Sequence, residues 1–194
     1  MRTLYVATIA LLGCTGAHAA NWQLDPSASS LSFVTIKAIN IGEVHDFGSL
    51  AGSVTEDGEA RVSIALDSVR TNIDIRDERM REHLFDTANH PDAIITAPID
   101  AAAIEALSPG ASTQIDLVGQ LSVRGQEAAV ATVVNVTRLD ADRVLVVSLK
   151  PLVIYATSLG LAGGVEKLRE LAGLPSISEA VPVSFSLTFQ RSAP

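Results

Sequence analysis

The chain has 194 residues, carries 22 acidic against 14 basic side chains for a net charge of −8, and holds a single cysteine. That balance excludes a general nucleic-acid or anionic-surface binder unless the positive groups cluster. The lone Cys14 excludes internal disulfides and Cys-rich metal sites. Apolar residues make up 47% of the chain and aromatics only 4%, so a core would be built mainly from Ala, Val, Ile and Leu.

Residues 1–19 read as a secretory leader. Arg2 precedes an apolar run from Leu4 to Leu12, and Ala17-His18-Ala19 is a small-x-small cleavage pattern. The run is shorter than the roughly 20 apolar residues that cross a bilayer. Leu11-Leu12-Gly13-Cys14 offers a second reading, a lipoprotein signal ending before Cys14, which would then tether the chain to the outer membrane. Both readings predict a periplasmic location. Residues 20–194 show no linker and no internal repeat, and are expected to form one domain.

The predicted elements are mostly strands with period-two alternation. Residues 30–37 put Leu31 and Phe33 on one face, with Val34 and Ile36 opposite. Glu56-Asp57-Gly58 joins 50–55 to 60–67, where Val62, Ile64 and Leu66 share a face. Helical spacing follows over Ile75 to Phe85, with Met80 and Leu84 four apart, and residues 100–110 suggest a short helical turn. Ile115, Leu117, Leu121 and Val123 alternate along 113–123, and Arg124-Gly125-Gln126 turns the chain into 127–138. Asp140-Ala141-Asp142 separates that strand from 143–155, in which Pro151 marks an edge, a bulge or a strand end. A last helix carries Val165, Leu168 and Leu171 on one stripe and stops at Gly173 and Pro175. The final strand places Val183, Phe185, Leu187 and Phe189 on one face.

About eight amphipathic strands joined by hairpins must close or stack to hide their edges, and a barrel and a two-sheet sandwich both satisfy this. An eight-stranded barrel is either filled by its side chains or holds one small ligand. The inward positions are mostly Val, Leu, Ala and Ile, with Gly119 among them, which leaves both an open lumen and a filled one in play.

The stretch Ile75 to Pro91 concentrates the charge. His83, Asp86 and His90 have offsets a metal could use, but Pro91 turns His90 away from helical geometry. Arg76, Arg79 and Arg81 could clamp an anion, but Asp74, Asp77, Glu78, Glu82 and Asp86 outnumber them. Local pairing, with Asp77 and Arg81 four apart, is the favoured account. The segment is expected to be a structural cover, charged outside and apolar inside. There is no Gly-x-Ser-x-Gly nucleophile turn, and the glycines between Gly160 and Gly164 lack the βαβ unit of a dinucleotide site.

An ordered set of motifs spans about residues 22 to 190. It comprises Trp22-x-Leu24-Asp25-Pro26, then Arg76-Asp77, Leu84, Phe85-Asp86 and His90-Pro91, then Gly119, Leu121, Gly125 and Val130, and the closing strand. This set resembles the YceI-like family. The resemblance implies a mainly β, antiparallel up-and-down, lipocalin-like barrel of about eight strands with one or two short helices. It also implies a non-catalytic protein of the cell envelope that holds a long-chain isoprenoid or quinone-like lipid, with no metal or other cofactor and no nucleic-acid partner. Phe33, Phe47, Met80, Leu84, Phe85, Tyr155, Phe185 and Phe189 are the candidate lining residues. The chain departs from the family pattern at Lys37, where a His is frequent, and at His45, which replaces a Gly. It departs again at Ala156 to Gly160, which lose an Arg and an aromatic. Two other functions stay open: an envelope or stress-associated module that acts through a protein partner without lipid, and an enzyme in which His45, His83 and His90 converge.

Overall fold

The computed structural model describes residues 20–192, so the leader and Cys14 lie outside the described residues. Twelve strands form a single antiparallel sheet that closes on itself. They are β1 (Ala20–Leu24), β2 (Ser30–Lys37), β3 (Ile41–Phe47), β4 (Leu50–Thr55), β5 (Glu59–Ala65) and β6 (Val69–Arg70). The second half supplies β7 (Asp92–Pro98), β8 (Ser112–Val123), β9 (Gln126–Arg138), β10 (Arg143–Ser148), β11 (Leu152–Tyr155) and β12 (Ala180–Arg191).

Four pairs of these strands are single long strands broken by a bend. β1 and β2 run in succession along one edge of β12, and β10 and β11 along the other. β3 and β4 likewise follow each other along β2 and β1, and β6 and β5 along β3 and β4. Counted this way, eight strands pair only with their sequence neighbours, and β1 meets β12 to close the ring. This is an up-and-down barrel, which leaves no edge exposed. The sandwich alternative is thereby excluded.

The bends explain where the strand predictions stop short. Pro151 sits between β10 and β11, so 143–155 is two strands and not one. Residues 66–68 make a tight helical turn that ends the predicted 60–67 strand early. At the opposite extreme, β8 and β9 pair over their whole lengths. Their link is the two-residue turn Arg124-Gly125, both at positive φ, the geometry that matches the strand twist.

Three helices are attached. α1 (Asp74–Arg79) passes directly into a π-helical turn, Met80–Phe85. The wider turn has a physical consequence. At about 100° per residue an α-helix would carry Phe85 some 140° around from Met80, whereas the i to i+5 repeat brings Met80, Leu84 and Phe85 onto one face. All three are buried. α3 (Ala162–Leu171) packs on this turn through Gly164, where a β-carbon would stand 2.9 Å from the backbone of His83 and Leu84. α2 (Ala101–Glu105) lies at the other end of the barrel, its first turn capped by Asp100, which accepts from the Ala103 N–H at 3.0 Å.

Candidate functional site

The barrel is hollow. Its lumen has two adjoining chambers, one of about 410 Å³ beneath α1 and α3 and one of about 120 Å³ toward α2. They share Leu31, Ile95 and Leu152 as wall residues. The longest strands have 12 and 13 residues. At about 3.4 Å per residue and a tilt near 40°, these give a lumen roughly 30 Å tall.

Strand parity fixes the lining. Leu31 and Phe33 on β2, Val62 and Ile64 on β5, Leu121 and Val123 on β8, and Phe185, Leu187 and Phe189 on β12 all face inward. Seven of the eight candidate lining residues lie on the lumen: Phe33, Phe47, Met80, Leu84 and Phe85 in the larger chamber, Phe185 and Phe189 in the smaller. Phe33, Phe47 and Phe85 form a run of tilted rings with centroids 5.3 and 6.0 Å apart. Tyr155 is a correction. It is 53% exposed on the outside of the barrel, because Leu152 and Ile154 take the inward positions of β11 and the alternation sends Val153 and Tyr155 outward.

The smaller chamber is almost entirely apolar and its end is sealed. Trp22 closes the floor at 4% exposure, with the guanidinium groups of Arg191 and Arg138 4.5 and 5.1 Å from its ring centroid. Glu105 on α2 bridges both arginines, at 2.6 Å to Arg191 and 3.4 Å to Arg138. Burial alone would raise the Glu105 carboxyl, but the hydrogen bond and charge of Arg191, with Arg138 behind it, hold it below its usual 4.5.

Polar side chains enter the larger chamber at the end under α1. Thr35 and Lys37 continue the inward face of β2, and Glu43 and His45 share the inward face of β3 with Phe47. Glu43 takes Lys37 Nζ at 2.9 Å and Arg76 Nη1 at 2.8 Å on the same oxygen. Hydrogen bonding from Lys37, reinforced by Arg76, keeps this carboxyl below its usual 4.5 against the opposing effect of burial. His45 is 3% exposed; its Nε2 meets Thr35 Oγ1 at 2.9 Å. Burial, then the charge of Arg76, push its pKa below 6.5, so the ring is held neutral.

The charged segment is less of a solvated face than its composition predicts. Asp77 and Arg81 do not pair. Asp77 is buried and accepts from the backbone N–H (2.9 Å) and hydroxyl of Thr71, while Arg81 Nε donates to the Asp67 carbonyl at 2.9 Å. Arg76 Nη2 donates to Thr71 O at 2.6 Å, and Arg79 Nη1 to Leu171 O at 3.2 Å. The arginines staple the cover to the barrel and to α3. Among the described residues no three His, Cys, Asp or Glu side chains converge as metal ligands.

This hollow meander barrel has known counterparts. A YceI-like domain matches residues 22–189. A solved polyisoprenoid binding domain from Saccharophagus degradans, implicated in plant cell wall breakdown, is 40% identical with a TM-score of 0.87, covering 89% of this chain and 99% of its own. Burkholderia cenocepacia BcnA is 19% identical with a TM-score of 0.65, covering 85% of this chain and 98% of its own. The Campylobacter jejuni YCEI protein is 13% identical with a TM-score of 0.56, covering 77% and 85%. The last two show the fold alone. No curated protein matches the chain. Through the match over residues 22–189 and the 40% identity to the Saccharophagus domain, the chain belongs to the YceI-like family.

Proposed function

We propose that the protein binds a long-chain isoprenoid or a similarly apolar, quinone-like lipid in its barrel lumen and carries it without chemical change. The observation that supports this most directly is the lumen itself: open, lined by aliphatic and aromatic side chains, sealed at one end and covered by α1 and α3 at the other. A preformed apolar cavity of this kind binds a chain by removing it from water, at about 0.8 kcal/mol per buried CH₂ before ordering costs. The Saccharophagus neighbour supports the same ligand class. The alternative of a partner-binding module without lipid calls for a filled lumen, and this one has space. Catalysis finds little support in the Thr35–His45 contact, because among the described residues His45 Nδ1 has no partner to orient the ring as a base. The leader-like residues 1–19 support carriage in the periplasm, with Cys14 as the alternative point of membrane attachment.

Native mass spectrometry of protein purified from its own envelope, followed by organic extraction, tests this. A stoichiometric lipid that is released on denaturation is the expected result. The variant Ile95→Trp, which places an indole where the two chambers meet, is expected to fold and to lose the lipid. Wild-type protein that emerges empty and takes up no added isoprenoid would remove the carrier function.

A further inference from the structure

We propose that an exposed apolar rim around the mouth of the larger chamber docks on the surface of a zwitterionic bilayer, so that lipid passes between membrane and lumen without crossing water. The choice of a bilayer as the occupant rests on the lipid-carrying function above.

The turn between β2 and β3 is strained at its tip. Ile39 has a φ of 76°, and the Asn40 N–H closes back on the Ala38 carbonyl at 3.0 Å. A turn closed over one residue at this φ is a rare, strained form that Gly or Asn enters most easily. A β-branched side chain is an outlier there. Ile39 gains no burial in return, since it is 85% exposed. The fold holds it in place: the N–H groups of Ala38 and Ile39 donate to the carbonyl and hydroxyl oxygens of Ser176, at 3.0 and 3.2 Å. An apolar side chain fixed outward at a conformational cost calls for a contact outside the chain.

The rim is continuous with the lumen. Through Ser176 the turn abuts Leu174 and Ile177, which line the larger chamber. Arg79 Nη1 donates to the Leu171 carbonyl at 3.2 Å, which sets the end of α3 beside α1. Ile73 and Ile75, at the start of α1, belong to the chamber wall and are also exposed, so the lining meets solvent there. With Ile39, Ile41 and Leu171 they make one exposed apolar rim. Charge then picks the partner. Residues 38–42 and 171–178 hold no charged side chain, although the chain has 22 acidic and 14 basic ones. These two stretches can leave water without stripping an ion of its solvent. The sealed end cannot, because Glu105, Asp140, Asp142, Arg143 and Arg191 are paired across it. Asp74 and Glu170, exposed beside the rim, and the net charge of −8 favour a zwitterionic surface over an anionic one.

The test pairs flotation of the protein with phosphatidylcholine vesicles and transfer of a fluorescent prenyl alcohol between donor and acceptor vesicles of the same lipid. The protein is expected to float to the same extent at low and high salt, and less with vesicles containing phosphatidylglycerol. The transfer rate is expected to rise in proportion to acceptor concentration, the mark of a carrier that meets the bilayer directly. Ile39→Asn with Ile41→Thr removes two apolar groups and eases the turn. It should slow transfer about tenfold, while the urea midpoint stays or rises and equilibrium binding of the prenyl alcohol is unchanged. Val118→Thr, on an exposed position of β8 outside the rim, should match the wild type. A transfer rate independent of acceptor concentration overturns the proposal, as does a rim variant that transfers as fast as the wild type. A dimer in solution that Ile39→Asn dissociates would give the rim to a second copy of the chain and overturn it too. Protein that floats but takes up no prenyl alcohol would remove lipid carriage and leave docking. Protein that carries the lipid but neither floats nor transfers on contact would do the reverse.

Discussion

The two ends of the barrel use the same device to different ends. At each, one glutamate bridges two cations: Glu105 between Arg138 and Arg191 at the sealed end, Glu43 between Lys37 and Arg76 under α1. At the sealed end the cations lie over Trp22, and each nitrogen of Arg138 reaches an acceptor: Nε the Asp140 carbonyl, Nη1 Glu105, Nη2 the Ala141 carbonyl. Under α1 the ring of Phe33 packs on His45 at 5.3 Å, but among the described residues no ring stacks on Lys37 or Arg76, the chamber is larger, and two buried nitrogens lack partners. A bridged cation pair stacked on an aromatic ring makes a floor. The same pair beside a cavity leaves hydrogen-bonding capacity unmet among the described residues.

Breaking the floor is expected to have the largest effect. Trp22→Ala removes the only tryptophan and leaves Arg138 and Arg191 over a void. It should cost about 3–5 kcal/mol of global stability, read by urea unfolding followed by circular dichroism. A loss below about 1 kcal/mol would mean that the stacked arginines and α2 do not depend on the ring. The corresponding insult at the other end is Gly164→Val. Its new side chain runs into the backbone of the π-helical turn, which cannot swing aside as a flexible side chain could. The expected cost is about 1–3 kcal/mol, concentrated in the cover. Hydrogen exchange should accelerate in α3 and in residues 80–85 while β8 and β9 stay protected. Uniform acceleration across the barrel would show that the cover is not a separately opening unit.

The fold was largely legible in the sequence because a barrel strand with one face on a lumen and one on solvent must alternate. The segments 113–123 and 183–189 do so without interruption. What escaped was the bending. A barrel of this height needs its strands to turn corners, and those corners at Pro26–Ala28, Gly48-Ser49, Leu66–Ser68 and Pro151 split four long strands into eight short ones. β1, β3, β6 and β7 are not legible in the pattern, β3 because Glu43 and His45 occupy inward positions that alternation fills with apolar groups. The same parity held the missed site: Thr35 and Lys37 follow directly from Leu31 and Phe33. Tyr155 was chosen for its aromatic ring when its strand neighbours Leu152 and Ile154 already claimed the inside. The pairing expected for Asp77 and Arg81 failed for a related reason. Helix spacing shows which side chains can meet on a surface, whereas here both are drawn to tertiary partners. Lys37 and His45, two of the departures from the family pattern, both fall in the polar cluster under α1.

The smallest expected effect separates the two ends by pH. His45 faces Arg76 and Lys37 as like charges and Glu43 and Asp77 as opposite ones, and burial with Arg76 prevails, so its folded pKa lies below 6.5. Above pH 6.5 the ring is neutral in both states and the site is at full strength. As pH falls below 6.5 the unfolded chain takes up a proton that the folded one resists, and stability drops until the folded pKa is passed. Glu43 and Glu105 are both held below 4.5, so their contributions are present above that value and are lost only below it. Between pH 6.5 and about 5 the end under α1 therefore weakens while the floor does not. Urea unfolding across this range should show a decline in the wild type that His45→Phe abolishes, with the later decline below pH 4.5 retained by both proteins. A variant that keeps the first decline would assign it to a group other than His45.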